Sequence, residues 1–161
     1  MNAVNQLEET NIINEIIEMM GAIPLFDKVT GMQISIIAAH MEIRQIEKQS
    51  RLFSEGDNSD YMCFVVSGKM DVLKQSDSGK RVVVSTLSRG RSIGEMALLD
   101  TFPRSATVIA TESSTLLTLS RVSFNDILHA HPRAGISFLK EIAKMLSLNL
   151  RRVSGRLADA S

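Results

Sequence analysis

A single cysteine, Cys63, stands among 161 residues. That excludes an internal disulfide and any cysteine-ligated iron–sulfur cluster held by this chain alone. It lies within an apolar, strand-like run and reads as a buried, inert thiol. Net charge is absent as well: 18 basic and 18 acidic side chains cancel, so no overall field draws in nucleic acid or an anionic membrane. No apolar run is long enough to span a bilayer. Residues 1–9 lack the basic start and apolar core of a signal peptide, so a cytoplasmic location is expected. Catalytic signatures are missing too. There is no Gly-x-Ser-x-Gly elbow, no His-Glu-x-x-His pair and no Walker-type lysine after Gly90 or Gly94. His40, His129 and His131 have no partners at metal-ligand spacing. A non-enzyme without metal or cofactor is expected.

What is present is the composition of an ordinary soluble domain, with 44% apolar and 22% charged residues. The length suits one domain with short flanking helices. Three textures follow one another. An N-terminal helical segment, 1–41, carries Leu7, Ile12, Ile13, Ile16, Ile17 and Met20 at helical spacing before Gly21, with a second helix starting at Thr30 or Gly31. A segment rich in short β runs, 42–120, has strand candidates at 43–46, 61–66, 69–74, 82–87, 106–110 and 115–119. Within it Ser67-Gly68 predicts a two-residue hairpin, and Ser76-Asp77-Ser78-Gly79 predicts another reversal. C-terminal helices fill 121–161, the first with Phe124, Ile127 and Leu128 facing inward, the second opening at His131-Pro132. That last helix carries a seam of Ile136, Leu139, Ala143, Leu146, Leu150, Val153 and Leu157. Its alternating three- and four-residue spacing runs for about three heptads, the lower limit of a coiled coil, and leans towards a homodimer. Arg151, Arg152 and Arg156 read as a solvated helix face rather than a DNA site.

The chain is organised around residues 94–108, Gly-Glu-Met-Ala-Leu-Leu-Asp-Thr-Phe-Pro-Arg-Ser-Ala-Thr-Val. The Met96-Ala97-Leu98-Leu99 run has room for one short helical turn, whose free N–H groups can face an anion. Pro103 ends that turn and sends the chain into the β-branched Thr107-Val108-Ile109. Arg104 offers a planar fork of donors suited to phosphate, and Glu95 offers acceptors suited to sugar hydroxyls. The competing reading is a plain Glu95–Arg104 ion pair. Gly94, Pro103 and the small residues after Arg104 favour close backbone approach to an anion instead.

Gly-Glu-x-Ala-Leu, a short spacer, then Pro-Arg-Ser-Ala-Thr-Val closely resembles the phosphate-binding cassette of cyclic nucleotide-binding domains. Phe53-Ser54-Glu55-Gly56-Asp57, followed by Tyr61-Met62-Cys63-Phe64-Val65-Val66-Ser67-Gly68, resembles a second feature of the same family. Together they cover about residues 24–157. The resemblance implies a mainly β fold: a double-stranded antiparallel β-helix, or jelly-roll-like β-roll of eight strands, with N-terminal helices and a long C-terminal helix. It implies a ligand held by Gly94, Glu95, Met96, Ala97, Leu98, Arg104, Ser105 and Ala106, with backbone N–H groups near Ala97, Leu98, Ser105 and Ala106 around the phosphate and Glu95 on the ribose 2′-hydroxyl. Relatives that read guanine place a threonine where Ser105 stands, so cyclic AMP is the implied ligand and cyclic GMP the second choice. The base cap is expected from the final helix, at Met145, Leu146, Asn149 and Arg152. Movement of that helix would signal to an effector protein. DNA binding is not expected, because no recognition helix follows the long helix. The alternative is a ligand-independent dimeric interaction module of the same fold.

Overall fold

The computed structural model describes residues 3–159. Met1, Asn2, Ala160 and Ser161, the extremes of the segments 1–41 and 121–161, lie outside the described residues. Helix α1 (Ala3–Met20) buries Ile16 and Met20 at its C-terminal end, whereas Leu7 and Ile12 are exposed. A 3₁₀ turn at Pro24–Phe26 has proline at its start and sends Phe26 inward. Helix α2 (Met32–Ala38) begins after Gly31, whose φ of 54° suits a residue without Cβ.

Eight strands follow: β1 (Glu42–Ile46), β2 (Arg51–Phe53), β3 (Tyr61–Ser67), β4 (Met70–Gln75), β5 (Arg81–Leu87), β6 (Ser92–Ile93), β7 (Thr107–Ala110) and β8 (Ser114–Ser120). They form two antiparallel four-stranded sheets, ordered β1-β8-β3-β6 and β2-β7-β4-β5. The chain passes repeatedly from one sheet to the other, which makes the pair a roll rather than two meanders. The reversal at Ser76–Gly79 does join a hairpin, β4 to β5. Ser67-Gly68 does not, because β3 and β4 belong to different sheets. The glycine is needed for another reason: its φ is 87°, and a Cβ there would lie 2.5 Å from Ser113 O and 2.7 Å from Ser114 Cα. The chain crosses between sheets by pressing its backbone against the start of β8.

Strand β3 explains the layering. Met62 and Phe64 face a helix-covered core, while Cys63 and Val65 face the interior of the roll. Both faces are covered, so 62–65 reads as a continuous apolar run with no polar alternation. The outer core is aromatic: Phe26 lies 5.5 Å from Phe138 and 5.1 Å from Phe64, and Phe124 lies 5.7 Å from Phe138. The inner core is aliphatic and sulfur-containing, built on Cys63, Val65, Met70, Val72, Val108 and Leu116 with Phe53 at one end. Edge strand β5 turns Val82, Val83 and Val84 to the outside.

Short helix α3 (Met96–Leu99) interrupts the strands between β6 and β7. Helix α4 (Arg121–Ala130) is capped by Ser120 Oγ, which accepts from the Ser123 N–H. Helix α5 (Pro132–Asp159) buries Ala134, Gly135, Phe138 and Ile142. Gly135 permits its close packing on α4, since a Cβ would meet Leu128 Cα at 3.0 Å. The expected seam divides. Leu139 and Leu146 pack on the outer core, whereas Ile136, Leu150 and Val153 are exposed.

Candidate functional site

Strand β6 delivers the chain to Gly94, where φ is 86° and a side chain has no space between the Arg104 guanidinium and Tyr61 O. Ala97 and Leu98 are buried and fix the following turn of α3 on the body of the protein. The N–H groups of Ala97 and Leu98, expected around an anion, are engaged inside the turn, donating to Gly94 O at 3.0 Å and Glu95 O at 3.2 Å. The open amides are those of Met96, Ser105 and Ala106: among the described residues no loop carbonyl accepts from them. Such orphan donors suit an anion.

Arg104 is the buried cation of the site, only 7% exposed. Its Nε donates to Ser59 Oγ and its Nη2 to Tyr61 O at 2.5 Å. Its guanidinium lies 4.0 Å from the centre of the Phe53 ring and 4.9 Å from that of Tyr61, an aromatic clamp of cation–π contacts. Tyr61 in turn contacts the Arg44 guanidinium at 5.6 Å and donates from its hydroxyl to Leu52 O at 3.2 Å. The Arg104 backbone is tied into the turn after β2: its N–H donates to Asp57 O, and its carbonyl accepts from Gly56, both at 2.8 Å. The Phe53–Asp57 stretch therefore holds the cassette in place.

Burial sets the site's titration behaviour. It pushes the Arg104 guanidinium down from its usual range, while neighbouring acidic groups oppose the shift. It pushes the Glu95 carboxyl up, against the stabilising backbone N–H groups and the charge of Arg104. The two are not an ion pair. Among the described residues the ion pairs are Lys69–Glu112 and Lys144–Glu141, both away from the cassette. The plain ion-pair reading is thereby set aside, and the guanidinium keeps Nη1 without a protein acceptor among the described residues.

A cavity of about 230 Å³ opens here, lined by Gly94, Glu95, Met96, Ala97, Arg104, Ser105 and Ala106, with Val72 and Lys74 from β4 and Phe102 from the cassette. Seven of the eight expected ligand residues thus meet at one place, and Leu98 lies beneath them in the core. The expected base cap lies elsewhere. Met145, Asn149 and Arg152 line a separate cavity of about 440 Å³ between the 3₁₀ turn and α5, and Leu146 packs on the outer core. Ser92 Oγ does reach Met145 Sδ at 3.0 Å, joining α5 to the strand that enters the cassette.

Sequence reasoning passed over Phe53 and Tyr61 as clamp residues, although both stood inside a quoted stretch. It also passed over Ser59 and Arg121. Arg121, the first residue of α4, donates through Nη1 to Ala97 O at 3.3 Å and to Asp100 O, closing the C-terminal end of α3. Its backbone N–H donates to Asp60 O at 2.6 Å. No local sequence signal marks it, because its partners lie more than twenty residues upstream. The histidines form no metal centre, and among the described residues no group of three or more His, Cys, Asp or Glu is suited to one. No described helix is long and apolar enough to cross a membrane.

This geometry agrees with comparisons to known proteins. The chain is 33% identical over 124 residues to a cAMP-dependent protein kinase regulatory subunit of Yarrowia lipolytica, covering 74% of this chain and 32% of that subunit. It thus spans about a third of that relative's length. A cyclic nucleotide-binding domain from Methylobacillus flagellatus superposes with a TM-score of 0.80 at 25% identity, over 92% of this chain and 84% of the other. The regulatory domain of Toxoplasma gondii PKA, solved with cAMP, gives 0.63 at 30% identity over 71% of this chain and 44% of that one. The family model described as cyclic nucleotide-binding domain matches residues 43–131, and with the β-roll and its cassette this establishes that the chain belongs to the cyclic nucleotide-binding domain family.

Proposed function

We propose that this chain is a receptor for a cyclic nucleotide, cyclic AMP before cyclic GMP, acting in the cytoplasm on an effector protein. One observation carries the reading: a buried arginine without an anionic partner borders a cavity with open amides. A buried cation is favourable once it meets an anion and several donors. A cyclic phosphate supplies that charge. It would take Arg104 Nη1, the amides of Met96, Ser105 and Ala106, and the Ser105 hydroxyl. Glu95 accepts from a ribose hydroxyl.

Signalling needs the ligand to favour one arrangement over another. Arg121 offers the coupling, because it holds the carbonyls of the cassette helix at the start of α4, and Gly135 packs α5 closely on α4. In this reading the segments 1–41, 42–120 and 121–161 serve as cover, receptor and output. Exposed Ile136, Leu150 and Val153 support pairing of two copies through α5. The relatives' name as kinase regulatory subunits supports an effector protein without identifying it.

Calorimetric titration of the folded protein, freed of copurified nucleotide, tests the reading with cyclic AMP and cyclic GMP. Micromolar or tighter binding that is lost in Arg104→Ala is the expected result, and the ratio of the two affinities identifies the base. No binding of either nucleotide would sink the receptor and leave the interaction module. Sedimentation of Leu150→Glu tests the pairing: a dimer that becomes a monomer supports it, and a wild type that is already monomeric ends it.

A further inference from the structure

The cavity beside Arg104 is small, about 230 Å³, below the roughly 300–1,000 Å³ of ordinary small-molecule sites. A phosphate and a sugar fill such a space, and a base attached to the sugar must reach its mouth. Phe102 lines this same cavity, yet its side chain stands 76% exposed. A large aromatic ring left in water forgoes the burial that residues of its size usually gain, and exposed apolar surface beside a cleft marks a contact site. The ring is also presented from a fixed stretch of chain. Phe102 N–H donates to Asp100 Oδ1 at 3.1 Å, Pro103 follows, and Arg104 N–H donates to Asp57 O at 2.8 Å. The other aromatic lining the cavity, Phe53, is 6% exposed and covered by the Arg104 guanidinium. Among the described residues Phe102 is the open ring at this cavity. The helix residues expected to cover a base line a different cavity or lie in the core.

Resting on the cyclic nucleotide reading above, we propose that Phe102 stacks on the nucleobase, so that the cassette which holds the phosphate also supplies the base platform. An aromatic face accepts any base. Phe102 therefore adds affinity for adenine and guanine alike, and the choice between them falls to polar groups such as Ser105 and Lys74.

The chain has no tryptophan, so Phe102→Trp introduces its single indole. That variant is expected to bind cyclic AMP with its emission quenched as the nucleotide is added, and an emission unchanged at saturating nucleotide overturns the stacking. Phe102→Ala is expected to weaken cyclic AMP and cyclic GMP by a similar factor, about 5- to 100-fold. Its affinity for a base-less ribose cyclic phosphate should be unchanged. Equal cyclic AMP affinity in wild type and Phe102→Ala, or an equal loss for the base-less probe, overturns the stacking and leaves the receptor reading standing. A wild type that binds neither nucleotide removes the receptor reading, and the stacking with it.

Discussion

The two apolar cores of this protein differ in what they leave unfinished. The outer core, between the helices and the sheet containing β3 and β8, is closed: Phe26, Phe64, Phe124 and Phe138 are each at most 4% exposed and touch one another. The inner core, within the roll, ends at a charged group. Phe53 closes it on one side, and the Arg104 guanidinium lies over that ring with an edge directed to a cavity. The outer core contributes stability and ties the helices down. The inner one gives up some burial to keep a cation ready for a ligand.

The comparison breaks most sharply in the outer core. Phe138→Ala removes the ring that Phe26, Phe64 and Phe124 share, and a loss of about 3–5 kcal/mol in urea unfolding is expected. Arg104→Ala does the reverse. It should weaken cyclic nucleotide binding by about 2–5 kcal/mol, roughly 30-fold to several thousandfold. The unfolding free energy should change by no more than about 1 kcal/mol, because loss of a buried charge offsets loss of its contacts. A large stability loss in this variant would mean that the arginine is structural.

Smaller effects sharpen the contrast. Tyr61→Leu removes one side of the aromatic clamp and should weaken binding by about 1–2 kcal/mol. Tyr61→Phe keeps the face and should bind nearly as well as wild type, since the hydroxyl is directed to Leu52 O and Arg44 rather than to the cassette. Equal losses from both would assign the role to the hydroxyl. The smallest effect concerns Glu95, whose carboxyl is held above the ordinary carboxylate range by burial. The folded state then binds a proton more readily than the unfolded chain, so this group's contribution to stability is complete below the unfolded pKa and is lost as pH rises through the folded one. Glu95→Gln should therefore gain stability at neutral pH relative to acid pH. Nucleotide affinity in the wild type should fall on acidification from a higher pH than an ordinary carboxylate would give, and calorimetry across that window measures both.

Much of this was legible in the chain itself, and the exceptions have physical causes. Periodicity marks strands long enough to alternate, but β2 has 3 residues and β6 has 2, too few for any pattern. The Ser67-Gly68 pair has hairpin chemistry. What decides its use is the backbone of Ser113 and Ser114, some 45 residues away, pressed against it. In the site, Gly94, Glu95, Arg104 and Ser105 were readable because one local turn positions them. Phe53, Ser59, Tyr61 and Arg121 were not, because sheet pairing and chain crossing bring them to the cassette. The α5 seam divides for a similar reason: Leu139 and Leu146 meet the outer core, whereas Ile136 before them and Leu150 and Val153 after them stand clear of it.

Cys63 has a practical consequence. The residue is fully buried, and burial pushes its thiol up to about 12. At neutral pH almost none of it is thiolate, and no alkylating reagent can approach the sulfur. Native thiol chemistry is therefore silent without mutating the residue. A cysteine introduced on the exposed side of α5, at Leu150 for example, becomes the one site that a maleimide label or a crosslinker reaches. Distances between two copies, and their change when nucleotide is added, become measurable in the otherwise unaltered chain.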